Sequence, residues 1–270
     1  MKTILKYPGS KGSMAQHIID MMPTHTTYAE PFGGAAAVLL RKPPSAVEWY
    51  NDTFAEVQNL FGLLRAGGLA LQDLRYQVEM TAFSRIELEV ARSSAPADMT
   101  PVEQARRFLV RSWLSYGGSL NNHKSGFRTS KTDTKRLMTW NQLGDRLAAA
   151  AERFKDVYIE KLDAIKFMLV LDGVDTLFYV DPPYIEETIN FREKQVYHQA
   201  FLLDHHEELL CCLNNLKGKV ILSGYDHKMY AQALPASRWR RSTKRHMTQS
   251  HSFKDEVVWC NFGLEDEVFA

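Results

Sequence analysis

What this chain lacks narrows its reading first. It has three cysteines in 270 residues, Cys211, Cys212 and Cys260. Two of them are adjacent and none has zinc-ligand spacing, so neither a structural metal nor a disulfide framework is expected. That usage fits a reducing cytoplasm. No apolar run approaches the ~20 residues of a membrane span. The start Met1-Lys2-Thr3-Ile4-Leu5 lacks a signal-peptide layout, so no membrane role is expected. Net charge is almost absent, at +1. The full Gly-x-Gly-x-x-Gly of a dinucleotide site is missing as well: Phe32-Gly33-Gly34 runs into Ala35-Ala36. Alanine there obstructs a pyrophosphate, which disfavours a nucleotide-dependent oxidoreductase and suits a nucleoside ligand such as an adenosine carrying a sulfonium.

What is present is ordinary in bulk and uneven in detail. An apolar share of 45% and a charged share of 24% describe a globular protein, either one large α/β domain or a domain with an insertion. The cations are clustered. Between Gln104 and Arg136 there are eight, Arg106, Arg107, Arg111, Lys124, Arg128, Lys131, Lys135 and Arg136, against Asp133 alone. Between Arg238 and His246 there are five, Arg238, Arg240, Arg241, Lys244 and Arg245, without an acid. Local basic stretches on a neutral chain suggest contact with a polyanion, although a solvated basic face gives the same pattern.

The periodicity alternates from the start. Helix is expected over 14–22, strand over 26–29, helix over 35–41, strand over 46–50 and helix over 54–64, with glycine- or acid-bearing turns between them. From about Ala66 the pattern turns helical, over 69–92 and 102–114. A polar, basic loop or hairpin follows, from Tyr116 to Thr134. Strand 157–160, helix 164–171, the apolar run Thr176–Val180, helix 202–216 and strand 219–223 restore the α/β alternation. Antiparallel strands over 239–248 and 256–262 are expected to end it. The expected fold class is α/β, doubly wound. A mainly helical insertion over 66–151 should divide a core domain of 1–65 and 152–270.

The most informative tetrapeptide is Asp181-Pro182-Pro183-Tyr184, which directly follows the run Thr176-Leu177-Phe178-Tyr179-Val180. Proline has no N–H, so the strand cannot extend its ladder, and the backbone turns stiffly outward at the edge where α/β sheets bind ligands. A carboxylate, a rigid carbonyl and an aromatic face together suit a planar base with an exocyclic amine. The bland alternative is a strand end closed by an Asp-Pro turn.

Upstream, the Gly33-Gly34 turn joins a strand to the next element, and Asp52 follows Glu30 by 22 residues. Glycine admits a ligand close to the backbone, and an acid at that distance can hold ribose hydroxyls. Asp52 and Asp163 would equally serve as helix N-caps, and Lys11 could be a surface lysine.

Taken together, the segments resemble the Dam-type, S-adenosylmethionine-dependent DNA adenine-N6 methyltransferases. The resemblance rests on Lys6-Tyr7-Pro8-Gly9-Ser10-Lys11, Glu30-Pro31-Phe32-Gly33-Gly34-Ala35, Asn51-Asp52, Leu162-Asp163, Asp181-Pro182-Pro183-Tyr184 and Ser223-Gly224-Tyr225-Asp226. Cofactor turn, recognition insertion and catalytic tetrapeptide follow the family's order. It implies a Rossmann-like methyltransferase sheet with a helical target-recognition insertion, and S-adenosylmethionine as cofactor. Tyr7 and Lys11 would line the pocket, with Glu30, Phe32 and Gly34 beside the methionine end. Asp52 would take the ribose, Leu162 and Asp163 the adenine, and Asp181 would also border the cofactor. Asp181, Pro182, Pro183 and Tyr184 would grip an adenine flipped from double-stranded DNA. Arg106, Arg111, Lys124, Arg128, Lys131 and Arg136 would meet phosphates, with Asn122 and Arg128 as candidate base contacts. The setting would be the cytoplasm of a bacterium or of a phage host, with room for a cognate restriction endonuclease as partner. The alternatives are another amine acceptor (RNA adenine, cytosine N4 or protein glutamine) and a non-catalytic DNA-binding regulator.

Overall fold

The computed structural model describes residues 2–7, 9–94, 96–116, 125–132, 134–188, 201–247 and 253–263. Seven strands form one sheet in the order β3-β2-β1-β4-β5-β7-β6. They are β1 (Thr27–Glu30), β2 (Val47–Asn51), β3 (Val157–Glu160), β4 (Thr176–Val180), β5 (Lys219–Gly224), β6 (Arg240–Met247) and β7 (Phe253–Cys260). The first five are parallel, and β7 and β6 join antiparallel at the end. The chain therefore starts in the middle, moves outward through β2 and β3, and returns to β4 on the other side of β1. That reversal opens a crevice between the carboxyl ends of β1 and β4, where such sheets bind ligands.

Side chains leave a strand alternately to its two faces, and the core divides accordingly. Tyr28, Leu177, Tyr179 and Ile221 join a cluster on one face. Ala29, Phe178, Val180, Val220 and Leu222 join another on the opposite face. The first face carries α1 (Ala15–Asp20), α2 (Ala55–Ala66), α3 (Gly68–Met80), α4 (Arg85–Arg92), α5 (Pro101–Leu114), α6 (Lys135–Asn141) and α7 (Leu143–Phe154). The second carries α8 (Ala164–Leu171), α9 (Leu203–Asn215) and α10 (Lys228–Ala233). Leu74, Val78, Leu88, Phe108 and Leu143 share their cluster with Ile4, Tyr50 and Leu60. The helices of 66–151 thus share apolar core with the sheet.

Two expected helices differ. The stretch 35–41 is a succession of turns. Gly34 and Ala36 adopt positive φ, 48° and 50°, and the Leu39 N–H donates to Glu30 Oε1 at 2.8 Å, so one amide of the expected ladder is diverted to a side chain. The stretch 69–92 is two helices. Thr81 Oγ1 donates back to the Gln77 carbonyl at 2.6 Å, the Thr81 carbonyl accepts from Trp140 Nε1 at 2.9 Å, and Ser84 caps α4 by accepting from the Glu87 N–H at 3.2 Å. Serine at an N-cap with glutamate at N3 is a start signal.

Candidate active site

The Gly33-Gly34 turn is fastened to the end of β2. The Gly33 N–H donates to the Asn51 carbonyl at 2.8 Å, and Tyr50 Oη donates to the Gly34 carbonyl at 2.6 Å. A Cβ on Gly33 would lie 2.1 Å from Tyr50 Cε2, so the tyrosine ring packs where any larger residue would be. Asp52 closes the turn: Oδ2 accepts from the Gly34 N–H and Oδ1 from the Phe54 N–H, both at 2.8 Å. Burial pushes its carboxyl up, against those backbone hydrogen bonds. The cap at the start of α2 and the ligand acid were two readings of Asp52; it holds the turn and also lines the cavity described below.

Asn51, the residue before Asp52, is fully buried and ties three strand ends together. Its Nδ2 donates to the carbonyls of Pro31 at 2.9 Å and Leu162 at 3.0 Å, and its Oδ1 accepts from the Leu162 N–H at 2.8 Å. Leu162, half-exposed, is thereby fixed through its backbone and is not among the cavity residues. Asp163 beside it is on the cavity wall and also caps α8, accepting from the Ile165 and Lys166 N–H groups at 3.1 Å.

A cavity of about 600 Å³ lies at this sheet edge. Tyr7, Lys11, Glu30, Phe32, Gly34, Asp52 and Asp163 line it together with Asp181, Pro182 and Pro183. Parallel pairing of β1 with β4 makes this inevitable, since both strands end at the same edge. Glu30 is buried; its Oε1 accepts from Tyr28 Oη at 2.7 Å and from the Leu39 N–H. Burial pushes its carboxyl up to about 7, against those hydrogen bonds.

Lys11 is no surface lysine. It is 4% exposed, with Nζ 2.7 Å from Asp181 Oδ1 and 3.2 Å from Glu256 Oε1. Burial favours its neutral form, but the two carboxylates outweigh burial and hold it charged, above the usual amine range. Asp181 is pushed up to about 6 by burial, with Lys11 opposing and Glu256 reinforcing. Its Oδ1 accepts from Lys11 and from Tyr184 Oη at 3.4 Å; among the described residues Oδ2 has no hydrogen-bond partner. Tyr184 differs from the open aromatic platform that was expected. It is 8% exposed, its hydroxyl lies against Lys11, Asp181 and Glu256, and its ring sits 4.5 Å from Tyr225.

The sequence reading missed Glu256. A signal existed: it is an acid one position before Val257-Val258-Trp259-Cys260, on the same strand face as Val258 and Cys260.

The expected nucleic-acid contacts separate into groups. Arg106 is ion-paired with Glu103 at 2.6 Å and Glu87 at 3.0 Å. Arg111 is buried against Glu56 and donates to the Ala91 carbonyl at 2.8 Å. Both arginines hold helices together rather than projecting outward, which corrects the expectation that they face phosphates. Lys131 is exposed and Arg136 partly so. Asn122 and Lys124 lie outside the described residues. Arg128 rests over the Tyr116 ring at 5.9 Å. Lys6 and Arg146, which were not singled out, flank the Trp113 ring at 5.0 and 5.8 Å. Burial first, then Arg128, Arg136 and Arg146, lower the Lys6 amine to about 8. The basic strand β6 faces acids on β7, with Lys244 opposite Glu256 and Arg245 opposite Asp255.

An α/β sheet with a strand-order reversal, a glycine turn and an Asp-Pro-Pro-Tyr strand end on one cavity defines a methyltransferase-type catalytic domain. The description "D12 class N6 adenine-specific DNA methyltransferase" matches residues 7–250, and the chain belongs to that family. It is an adenine-specific DNA methyltransferase, whose substrate is DNA and whose reaction needs a methyl donor. The comparison with curated proteins returned no match.

Proposed function

We propose that the donor is S-adenosylmethionine and that the acceptor is an adenine turned out of duplex DNA into the Asp181 end of the cavity. The observation that carries this reading is the placement of Asp181 and the Gly33-Gly34 turn on one cavity wall, at the ends of adjacent parallel strands. The residues fit such a donor. The volume lies within the range of cofactor pockets, and acids stand where a cation and a ribose need acceptors. Glu30, Phe32 and Gly34 would hold the amino-acid end, with Tyr7 and Lys11 nearby. Asp52 would accept from the ribose, and Asp163, fixed through Leu162, would hold the adenine. Bound there, the donor supplies an electrophilic sulfonium methyl.

The remaining work falls to the chain. An aromatic amine is a poor nucleophile because its lone pair is delocalised into the ring. Oδ2 of Asp181 and the Pro182 carbonyl can accept its two hydrogens, favouring a pyramidal nitrogen whose lone pair is free. Held in line, the nitrogen would take the methyl directly as the carbon–sulfur bond breaks and the neutral thioether leaves, with no covalent enzyme intermediate. The proton the nitrogen then sheds would pass to Asp181, and positioning supplies much of the acceleration. For Tyr184 to stack on the base, its ring has to part from Tyr225. Unstacking and unpairing the adenine costs a few kcal/mol, which protein contacts must offset. Lys6, Arg128, Arg136 and Arg146 form a group of cations suited to neutralising phosphates. A cognate restriction endonuclease fits this reading as a partner in the same system.

The test is transfer of labelled methyl to unmethylated duplex DNA, with the product nucleosides separated. Label should appear in N6-methyladenine, and Asp181→Ala should abolish it while calorimetry still detects donor binding. Label in another base, or full turnover by a folded Asp181→Ala protein, overturns the reading.

A further inference from the structure

Glu256 lies on a reversed strand, which is why it reaches the site. Pairing of Gly224 with Val257 sets the middle of β7 level with the end of β5, at the edge where β4 delivers Asp181. An inward acid there is 2% exposed. Burying a charge is costly unless it is paired, and two members of the catalytic group pair with Glu256: Lys11 Nζ at 3.2 Å and Tyr184 Oη at 3.2 Å, while Lys244 stands opposite it on β6. Lys11 also donates to Asp181 Oδ1, and the single hydrogen of Tyr184 Oη lies within reach of Glu256 at 3.2 Å and Asp181 Oδ1 at 3.4 Å, serving one of them at a time. The Lys11 ammonium has three hydrogens, and it reaches the Gly9 carbonyl at 3.1 Å, Tyr184 Oη, Asp181 and Glu256. Every hydrogen it has is engaged.

We propose that Glu256 is a positioning residue for methyl transfer. It holds Lys11 and Tyr184 on the Oδ1 side of Asp181, with Lys11 donating to Oδ1, and leaves Oδ2 for the incoming amine. By sharing the lysine it also keeps Asp181 from being wholly neutralised, so the free oxygen stays a strong acceptor as positive charge grows on the nitrogen. This rests on the adenine-transfer reading above and adds a residue to it.

The charged and titratable groups acting on Asp181 are Lys11 and Glu256 directly, Tyr184 through its hydroxyl, and Glu30, Tyr179 and Tyr230 through space. Glu256 raises the proton affinity of Asp181 and Lys11 lowers it. Removing the Glu256 charge should therefore move the acid limb of kcat to lower pH.

The experiment compares wild type, Glu256→Gln and Glu256→Asp by single-turnover methylation across pH, with donor binding followed by calorimetry. Glu256→Gln should lose about tenfold or more in kcat and shift the acid limb down by about one pH unit. The donor Kd should change less than about twofold. Glu256→Asp keeps the charge on a shorter stem and should show a smaller kcat loss and a smaller shift in the same direction; it carries the test alone should the glutamine variant not fold. An acid limb unmoved in whichever variants fold, or full kcat in them, overturns the role. Wild type separates the two levels: no label in adenine sinks the proposed function itself, whereas normal wild-type labelling with unaltered variants sinks only Glu256.

Discussion

The Lys11 ammonium stands 2.7 Å from Oδ1 of Asp181, joining the glycine-rich opening of the chain to the end of β4. This pair joins two parts of the site, and Lys11 opposes the rise that burial gives the proton affinity of Asp181. Lys11→Met should raise the Asp181 carboxyl above its value of about 6 and push the acid limb of kcat toward neutrality. That direction is opposite to the shift expected for Glu256→Gln. Breaking a buried pair by removing one partner costs about 3–5 kcal/mol, so urea denaturation of the variant should show a loss of that order. An unmoved acid limb would remove Lys11 from any influence on Asp181.

Glu30 should give donor binding its own pH dependence. Burial holds its carboxyl up near 7, and only the ionised form can attract a cationic amino group. Affinity for S-adenosylmethionine should fall as pH drops through 7, by up to about tenfold per unit. Glu30→Gln should bind more weakly and with a flat profile. Calorimetry over about pH 5.5–8 decides it.

Asn51 should matter to affinity more than to the chemical step. Asn51→Ala leaves the Pro31 carbonyl and both Leu162 backbone groups without their partner. A buried group so stranded costs about 1–3 kcal/mol, and Asp163 loses its fixed position on the cavity wall. The donor Kd should rise about tenfold or more, while kcat at saturating donor stays within a few-fold. A large fall in kcat with unchanged Kd would contradict this.

The cations should divide by salt dependence. Lys6→Ala and Arg146→Ala should each reduce the slope of log K against log salt for duplex DNA by about one. Arg106→Ala and Arg111→Ala should lower thermal stability instead and leave that slope alone, because Glu103, Glu87 and Glu56 occupy their guanidinium groups. A titration at several salt concentrations distinguishes the two pairs.

Most of the strand pattern was legible because each strand carries its own signal. The run Thr176–Val180 and the segment Val157–Glu160 are strands over the expected residues, and helix was expected over the residues of α8. The Gly33-Gly34 turn and the tetrapeptide were legible for the same reason, being contiguous. What could not be read depended on partners remote in sequence. The Ala35–Arg41 stretch has a helical composition, but the Glu30 carboxylate takes the Leu39 amide. Arg106 and Arg111 resemble phosphate ligands until their acids are placed beside them. Glu256 joins Lys11 only through the antiparallel pairing of β7 with β5.

The parallel pairing of β2 with β3 has a consequence for what can be exchanged in this molecule. A chain leaving the carboxyl end of β2 must return to the opposite rim before β3 can begin, and α2 makes that journey. Residues 67–156 are therefore rooted at the rim away from the cavity. Because Leu74, Val78, Leu88, Phe108 and Leu143 of that stretch pack in one core with Ile4, Tyr50 and Leu60, any exchange between those roots must keep these apolar contacts or the sheet beneath loses part of its support.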